Sequence, residues 1–173
     1  MSKQYQSHGT GEFTIDQFKK IGSNVIFETG VLVFHPETIE LGNNIYVGHH
    51  AILKGYHKNS LIIGDNTWIG QTCFLHSAGN IRIGRNVGIG PHVKILTSRH
   101  KGQGVDVPIL FSEIEFAEVV IGDDCDIGIG AIILPGVSVG KGAQIGAGAV
   151  VTKSIPDLAV AFGVPARVVR SRR

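Results

Sequence analysis

Ile or Val stands at positions 121, 127, 133, 139, 145 and 151, a spacing of six held without error. The same spacing recurs upstream at Ile63, Ile69 and Leu75 and at Ile83, Ile89 and Ile95. An α-helix repeats about every 3.6 residues and a strand about every two, so neither produces this pattern. Three rungs of six close a triangular coil, and stacked coils form a β-helix with one aliphatic in the middle of each flat side. The chain is therefore expected to be all-β, its core a stack of Ile, Val and Leu columns in place of two packed layers.

Six such coils can be written: Ile21/Phe27/Val33, Leu41/Val47/Leu53, Ile63/Ile69/Leu75, Ile83/Ile89/Ile95, Ile121/Ile127/Ile133 and Val139/Ile145/Val151. Corner sequences such as IGSN, LGNN, IGDN, IGRN and IGDD follow the aliphatics. Gly, Asn and Asp tolerate the positive φ that tight corners demand. Glycine is thereby explained as geometry, and no Gly-rich fragment sits in the strand–helix context of a dinucleotide fingerprint. Coil starts are separated by 20, 22, 20, 38 and 18 residues. The 38-residue step holds a segment, 98–118, too long for a corner, and insertions of that size in a compact fold usually serve function.

Length of 173 residues and 43% apolar content fit one domain, divided into a cap at 1–20, a β-helix at 21–152 and an extension at 153–173. Thr14-Ile15-Asp16-Gln17 has capping-box form and predicts a short N-terminal helix over the first coil. The extension is read as a turn at 154–157 and then a short helix or an extended tail. With 17% charged residues and a net charge of +2, a nucleic-acid surface is not expected. MSKQYQSHGTGEF has no apolar signal core, and no apolar run nears the roughly 20 residues that span a bilayer. A cytoplasmic protein without membrane insertion is the expectation. Cys73 and Cys125 lack metal-type spacing and each falls four residues after a repeat aliphatic, where Ala131, Ala143 and Ala149 also occur. Both are read as inward packing residues.

The repeats, together with ILPGVSVGKGAQIGAGAVVTK and GVPAR, resemble the hexapeptide-repeat acyltransferases, above all the sugar O-acetyltransferases of the galactoside and maltose type and the xenobiotic acetyltransferases. That resemblance covers roughly residues 39–170. It implies a left-handed parallel β-helix, a homotrimer, and acetyl-CoA lying in the groove between neighbouring subunits. It also places the catalytic histidine at the start of the long loop, where KILTSRH carries His100. An imidazole titrating near neutrality suits removal of a hydroxyl proton. The resemblance further implies an oxyanion-stabilising backbone N–H at Ile129, where relatives often have Ser; they also often have Trp at the position of Asp126. Ala147, Thr152 and Lys153 match positions along the coenzyme groove, and Arg167 and Arg170 match basic residues near its phosphates. Arg172 and Arg173 are read as a solvated tail.

Tyr56, His57 and His76 are the candidate acceptor-site residues; His8, His35, His49, His50 and His92 have no assigned role. The group orienting His100 is left open among Asp106, Glu113, Glu115 and a backbone carbonyl. No two histidines are separated by five, so the zinc chemistry of some β-helices is not expected and no metal site is assigned. The expected activity is acetyl transfer from acetyl-CoA to a hydroxyl of a sugar or related acceptor. N-acylation of a nucleotide-linked amino sugar and a non-catalytic scaffold are the alternatives.

Overall fold

A computed structural model describes residues 4–102 and 104–172. The sixfold spacing folds as expected: of the eighteen aliphatic and aromatic positions written above, sixteen are buried, and Ile21 and Phe27 are half-buried against the same core. Burying an Ile or Leu contributes about 1.5–3 kcal/mol each, so the columns dominate stability.

Three parallel sheets form the three faces. The first stacks Lys20–Ile21, Ile39–Leu41, Leu61–Ile63, Ile81–Ile83, Val119–Ile121 and Ser138–Val139. The second runs Val25–Phe27, Ile45–Val47, Trp68–Ile69, Gly88–Ile89, Asp126–Ile127 and Gln144–Ile145. The third runs Leu32–Phe34, Ile52–Lys54, Phe74–His76, Lys94–Leu96, Ile132–Ile133 and Val150–Val151. Each strand pairs in register with its equivalent one coil on, as in Leu61↔Ile81↔Val119. Six coils therefore close, and a seventh begins where Ile155 bridges Val139 and Ala159–Gly163 pairs with Gln144–Ile145.

The corner between the first and second faces is laced from coil to coil. Asn24, Asn44, Asn66, Asn86 and Asp124 all adopt positive φ there, between 54° and 61°. Each amide donates to the next side chain: Asn24 to Asn44 at 2.7 Å, Asn44 to Asn66 at 3.0 Å, Asn66 to Asn86 at 3.1 Å and Asn86 to Asp124 at 2.9 Å. A chain of donors must end on an acceptor, and the Asp124 carboxylate supplies it, with Lys141 Nζ 3.5 Å away. Both cysteines point inward as free thiols, Cys73 Sγ lying 3.1 Å from the Gly90 carbonyl and Cys125 Sγ 3.0 Å from that of Gly140.

The ends correct two expectations. The N-terminal helix is a single 3-10 turn, Ile15–Gln17, in which the Gln17 side chain accepts from the Thr14 N–H at 2.9 Å. It stops because Phe18 turns inward to pack with Phe13 and Phe27, ring centroids 4.9–5.7 Å apart, closing the first coil. At the other end no helix forms: Ala166–Ser171 turns back antiparallel onto Ala159–Gly163 and extends the second sheet. Arg172 is likewise not a solvated tail residue, since its N–H donates to the Leu158 carbonyl and its guanidinium to that of Gly142, both at 2.7 Å. Arg173 lies outside the described residues. Among the described residues no helix is long and apolar enough to cross a membrane.

Candidate functional site

The long insertion leaves the third face just after Lys94–Leu96 and is rooted as an antiparallel hairpin, Ser98–His100 against Ile114–Phe116. Charge pairs Arg99–Glu115 and Lys101–Glu113, each at 2.9 Å, tie the two strands across the root. His100 sits on the outgoing strand opposite Ile114, exposed, with its Nδ1 3.3 Å from the Ser112 carbonyl oxygen. A carbonyl only accepts, so this contact selects the tautomer with the proton on Nδ1, and among the described residues none pairs with Nε2. Glu113 and Glu115, two of the candidate orienting groups, are committed to Lys101 and Arg99 instead. The backbone carbonyl is the partner the structure provides.

Ile129 lies on a different corner, between the second and third faces. That corner shows a change along the stack. Coils two to four fill its positive-φ position with His50, Thr72 and His92, whereas coils five and six place Gly130 and Gly148 there, at φ 69° and 66°. A Cβ at either glycine would meet nothing within 4 Å, so the corner opens where Ile129 and Ala147 stand. Among the described residues no acceptor engages the Ile129 or Ala147 N–H, while the Ile129 carbonyl accepts from Gly148 N at 2.8 Å. An unpaired N–H at an open corner is the donor type that oxyanion stabilisation uses. The Ile129 side chain itself is 52% exposed.

Thr152 and Lys153 follow Val150–Val151 at the far corner of the third face, on the His100 side, and are exposed. Arg167 and Arg170 lie exposed on the terminal hairpin strand, each guanidinium donating to a nearby backbone oxygen, of Ala166 at 2.9 Å and of Ser171 at 3.3 Å. Within one protomer the third face therefore separates His100, Thr152 and Lys153 from Ile129 and Ala147. A site using both sets takes them from two copies of the chain.

Tyr56, His57 and His76 do come together. Tyr56 lies 4.7 Å from the His57 ring and 6.4 Å from that of His76 (centroid to centroid). Phe116, on the returning strand of the arm, is 6.3 Å from Tyr56, so the cluster abuts the arm that carries His100. His35 joins it, 6.4 Å from both Tyr56 and His57, with Nδ1 2.9 Å from Glu37. Two clefts flank the cluster, one of about 470 Å³ bordered by His8, Gln17, Phe34 and His35, the other of about 330 Å³ bordered by Lys19, His57, Lys58 and Asn59; Glu37 borders both. His76 stacks on Phe74 at 5.7 Å, and burial, with Lys54 and His8 adding to it, pushes its pKa below the usual histidine value. The sixfold pattern marks neither His35 nor Phe116; Pro36 after His35 and the aromatic at the loop's return are the local signals. Among the described residues no group of three or more His, Cys, Asp or Glu is arranged to hold a metal.

With this geometry in view, residues 118–153 match the family described as the hexapeptide repeat of succinyl-transferase. A putative acetyltransferase of Schizosaccharomyces pombe is 42% identical over 108 residues, covering 62% of this chain and 51% of that protein. The putative colanic acid biosynthesis acetyltransferase WcaF of Escherichia coli K12 is 30% identical over 133 residues, covering 77% of this chain and 69% of its own. The chain thus spans about half the length of some curated relatives it matches and about two thirds of others. Among solved structures, a mutant of AntD, an N-acyltransferase from Bacillus cereus in complex with dTDP and coenzyme A, superposes with a TM-score of 0.83 at 22% identity, over 95% of this chain and 92% of that one. Repeat, coil topology and relatives agree: this chain is a left-handed parallel β-helix and belongs to the hexapeptide-repeat acetyltransferases.

Proposed function

We propose that the protein is an acetyl-CoA-dependent acyltransferase that acetylates a hydroxyl group of a sugar or related acceptor, with His100 as general base. The observation that carries this reading is the His100 ring held through Nδ1 by the Ser112 carbonyl at the root of the arm, with no partner for Nε2 among the described residues. A sugar hydroxyl is a poor nucleophile until its proton is taken, and in this reading Nε2 takes it. As the acceptor oxygen bonds to the thioester carbonyl carbon, charge collects on the carbonyl oxygen, and the Ile129 N–H is the donor for it. His100 then returns the proton to the departing thiolate. Ala147, Thr152 and Lys153 line the coenzyme path, and Arg167 and Arg170 meet its phosphates. Tyr56, His57 and His76 form the acceptor side.

This assignment needs more than one copy of the chain, since His100 and Ile129 stand at opposite ends of one face. A homotrimer with sites between protomers satisfies it. Support comes from the arm, where Val107, Ile109, Leu110 and Phe111 remain 47–64% exposed and gain cover from a neighbour. A sugar-type acceptor is supported by the colanic acid relative and by the resemblance to galactoside and maltose acetyltransferases. A cytoplasmic location follows from the coenzyme.

The test is His100→Ala, assayed by thiol release from acetyl-CoA across a panel of sugars. Loss of about 10² or more with hydroxyl acceptors is expected; near-full turnover would remove His100 from its role. The AntD neighbours, N-acyltransferases with dTDP bound, favour a second reading in which an amine of a nucleotide-linked sugar is acylated. A neutral amine is already nucleophilic, so in that case amino-sugar acceptors would retain most of their turnover in the same variant.

A further inference from the structure

The open corner between the second and third faces ends on an aromatic ring. Its row of glycines is obligatory: a Cβ on Gly48, Gly70, Gly90 or Gly128 would lie 2.5–2.8 Å from a backbone nitrogen of the next coil. Gly146 is the last of the row, and its N–H donates at 2.8 Å to the Ala161 carbonyl on the seventh rung. Phe162 takes the next place, its Cβ 2.6 Å from where a Gly146 Cβ would stand. Among the described residues no further coil follows, only the antiparallel strand Ala166–Ser171, so here the row tolerates a side chain. Closure of the core does not use it. Ala159, Val160 and Ala161 are buried, while Phe162 stays 52% exposed with Arg167 opposite it on the hairpin.

From Ile129 through Ala147 to Phe162 the corner advances by two strand spacings, roughly 9–10 Å. In the reading proposed above, the thioester carbonyl of coenzyme A meets the Ile129 N–H and the pantetheine arm passes Ala147. The first branched apolar group along that arm is the gem-dimethyl carbon of its pantoyl unit. It lies about eleven bonds from the thioester carbonyl, or roughly 12–13 Å at the reach of an extended chain. That is an upper limit, so a slightly bent arm brings this carbon level with the Phe162 rung. The adenine begins about twenty-two bonds out, roughly 24–26 Å, well past the ring. Next to the dimethyl carbon the arm carries an amide and a hydroxyl, which a phenyl ring cannot satisfy. Beyond it come the phosphates, and Arg167 stands beside Phe162. We infer that Phe162 packs against the gem-dimethyl group of the pantetheine arm and so fixes how far along the corner the coenzyme lies. This contact rests on the coenzyme path proposed above and is independent of His100 and of the acceptor.

Calorimetry on the intact protein compares coenzyme A with adenosine 3′,5′-bisphosphate, which carries the nucleotide end and no arm. Phe162→Ala is expected to weaken coenzyme A about tenfold, as for a lost apolar contact in a binding pocket, and to leave the bisphosphate within about twofold. Phe162→Leu keeps an apolar surface and should hold coenzyme A within about threefold of the unaltered protein. Unchanged coenzyme A affinity in Phe162→Ala overturns the inference and leaves the coenzyme path standing. Equal loss for both ligands also overturns it, since the ring would then serve the base or the fold of the last rung. Failure of the unaltered protein to bind coenzyme A strikes the coenzyme path itself, and this contact with it.

Discussion

Coils two to four and coils five and six share one core and differ at their corners. Ile45, Thr67 and Val87 fill the buried slot after the first corner in coils two to four, where Cys125 and Ala143 stand in the later coils. At the second corner His50, Thr72 and His92 give way to Gly130 and Gly148. The asparagine ladder likewise runs through the early coils and ends at Asp124. The early part is thus broad and cross-linked by side chains and the later part slim at its corners, while the N–H of His49 and Gln71, like that of Ile129 and Ala147, meets no acceptor among the described residues. In a solenoid each coil touches only its neighbours, so one segment can specialise in cohesion while another gives up corner bulk to form a groove.

The comparison can be broken most forcefully in the core. Ile89→Ala and Ile145→Ala should each destabilise by about 2–5 kcal/mol in urea unfolding. A large inequality between them would show that the two halves differ inside as well as at the corners. Next, Gly148→His recreates the early-coil corner in the later coils. His tolerates positive φ better than most residues, so folding should survive while coenzyme A affinity, measured by calorimetry, falls about tenfold, or 1.4 kcal/mol. Unchanged affinity would detach the open corner from coenzyme binding. Asn66→Ala removes a link on either side of one ladder position and should cost about 1 kcal/mol, whereas Asn24→Ala, at the ladder's end, should cost less.

Smaller effects concern buried titrating groups. Because burial holds His76 below its ordinary 6.5, the folded state binds fewer protons than the unfolded chain as pH drops below that value. Stability from this group should be intact above about pH 6.5 and decline on acidification, and His76→Gln should flatten that part of the pH–stability curve. Least visible of all, burial pushes the Cys73 thiol up to about 11, and Cys125 upward as well, so a thiol reagent at pH 8 should label neither until the protein unfolds.

The coil core was legible because one inward aliphatic every six residues is a covalent fact of the chain. Ile21 and Phe27 are less buried because no coil precedes them among the described residues, where a cluster with Phe13 and Phe18 covers that end. The terminal hairpin escaped the reading because the sixfold period says nothing about an antiparallel return; the VPAR turn between two apolar runs was the only cue. The arm's pairing was half-written in alternating charges, Arg99 and Lys101 against Glu113 and Glu115. The separation of His100 from Ile129 was not legible, since it depends on which corner each reaches. The Tyr56 cluster gained His35 and Phe116 through contacts across 21 and 60 positions of sequence, which no local pattern encodes.

The direction of the amide ladder has a consequence for how such a chain can change length. Each of Asn44, Asn66 and Asn86 gives one proton forward and receives one from behind, so a whole coil bearing Asn at that corner could be duplicated or deleted without orphaning a partner at this corner. Only the carboxylate terminus is irreplaceable by an amide without leaving a spare donor. The ladder therefore makes the early coils modular at this one corner, though not at the Tyr56, His57 and His76 cluster that they also carry.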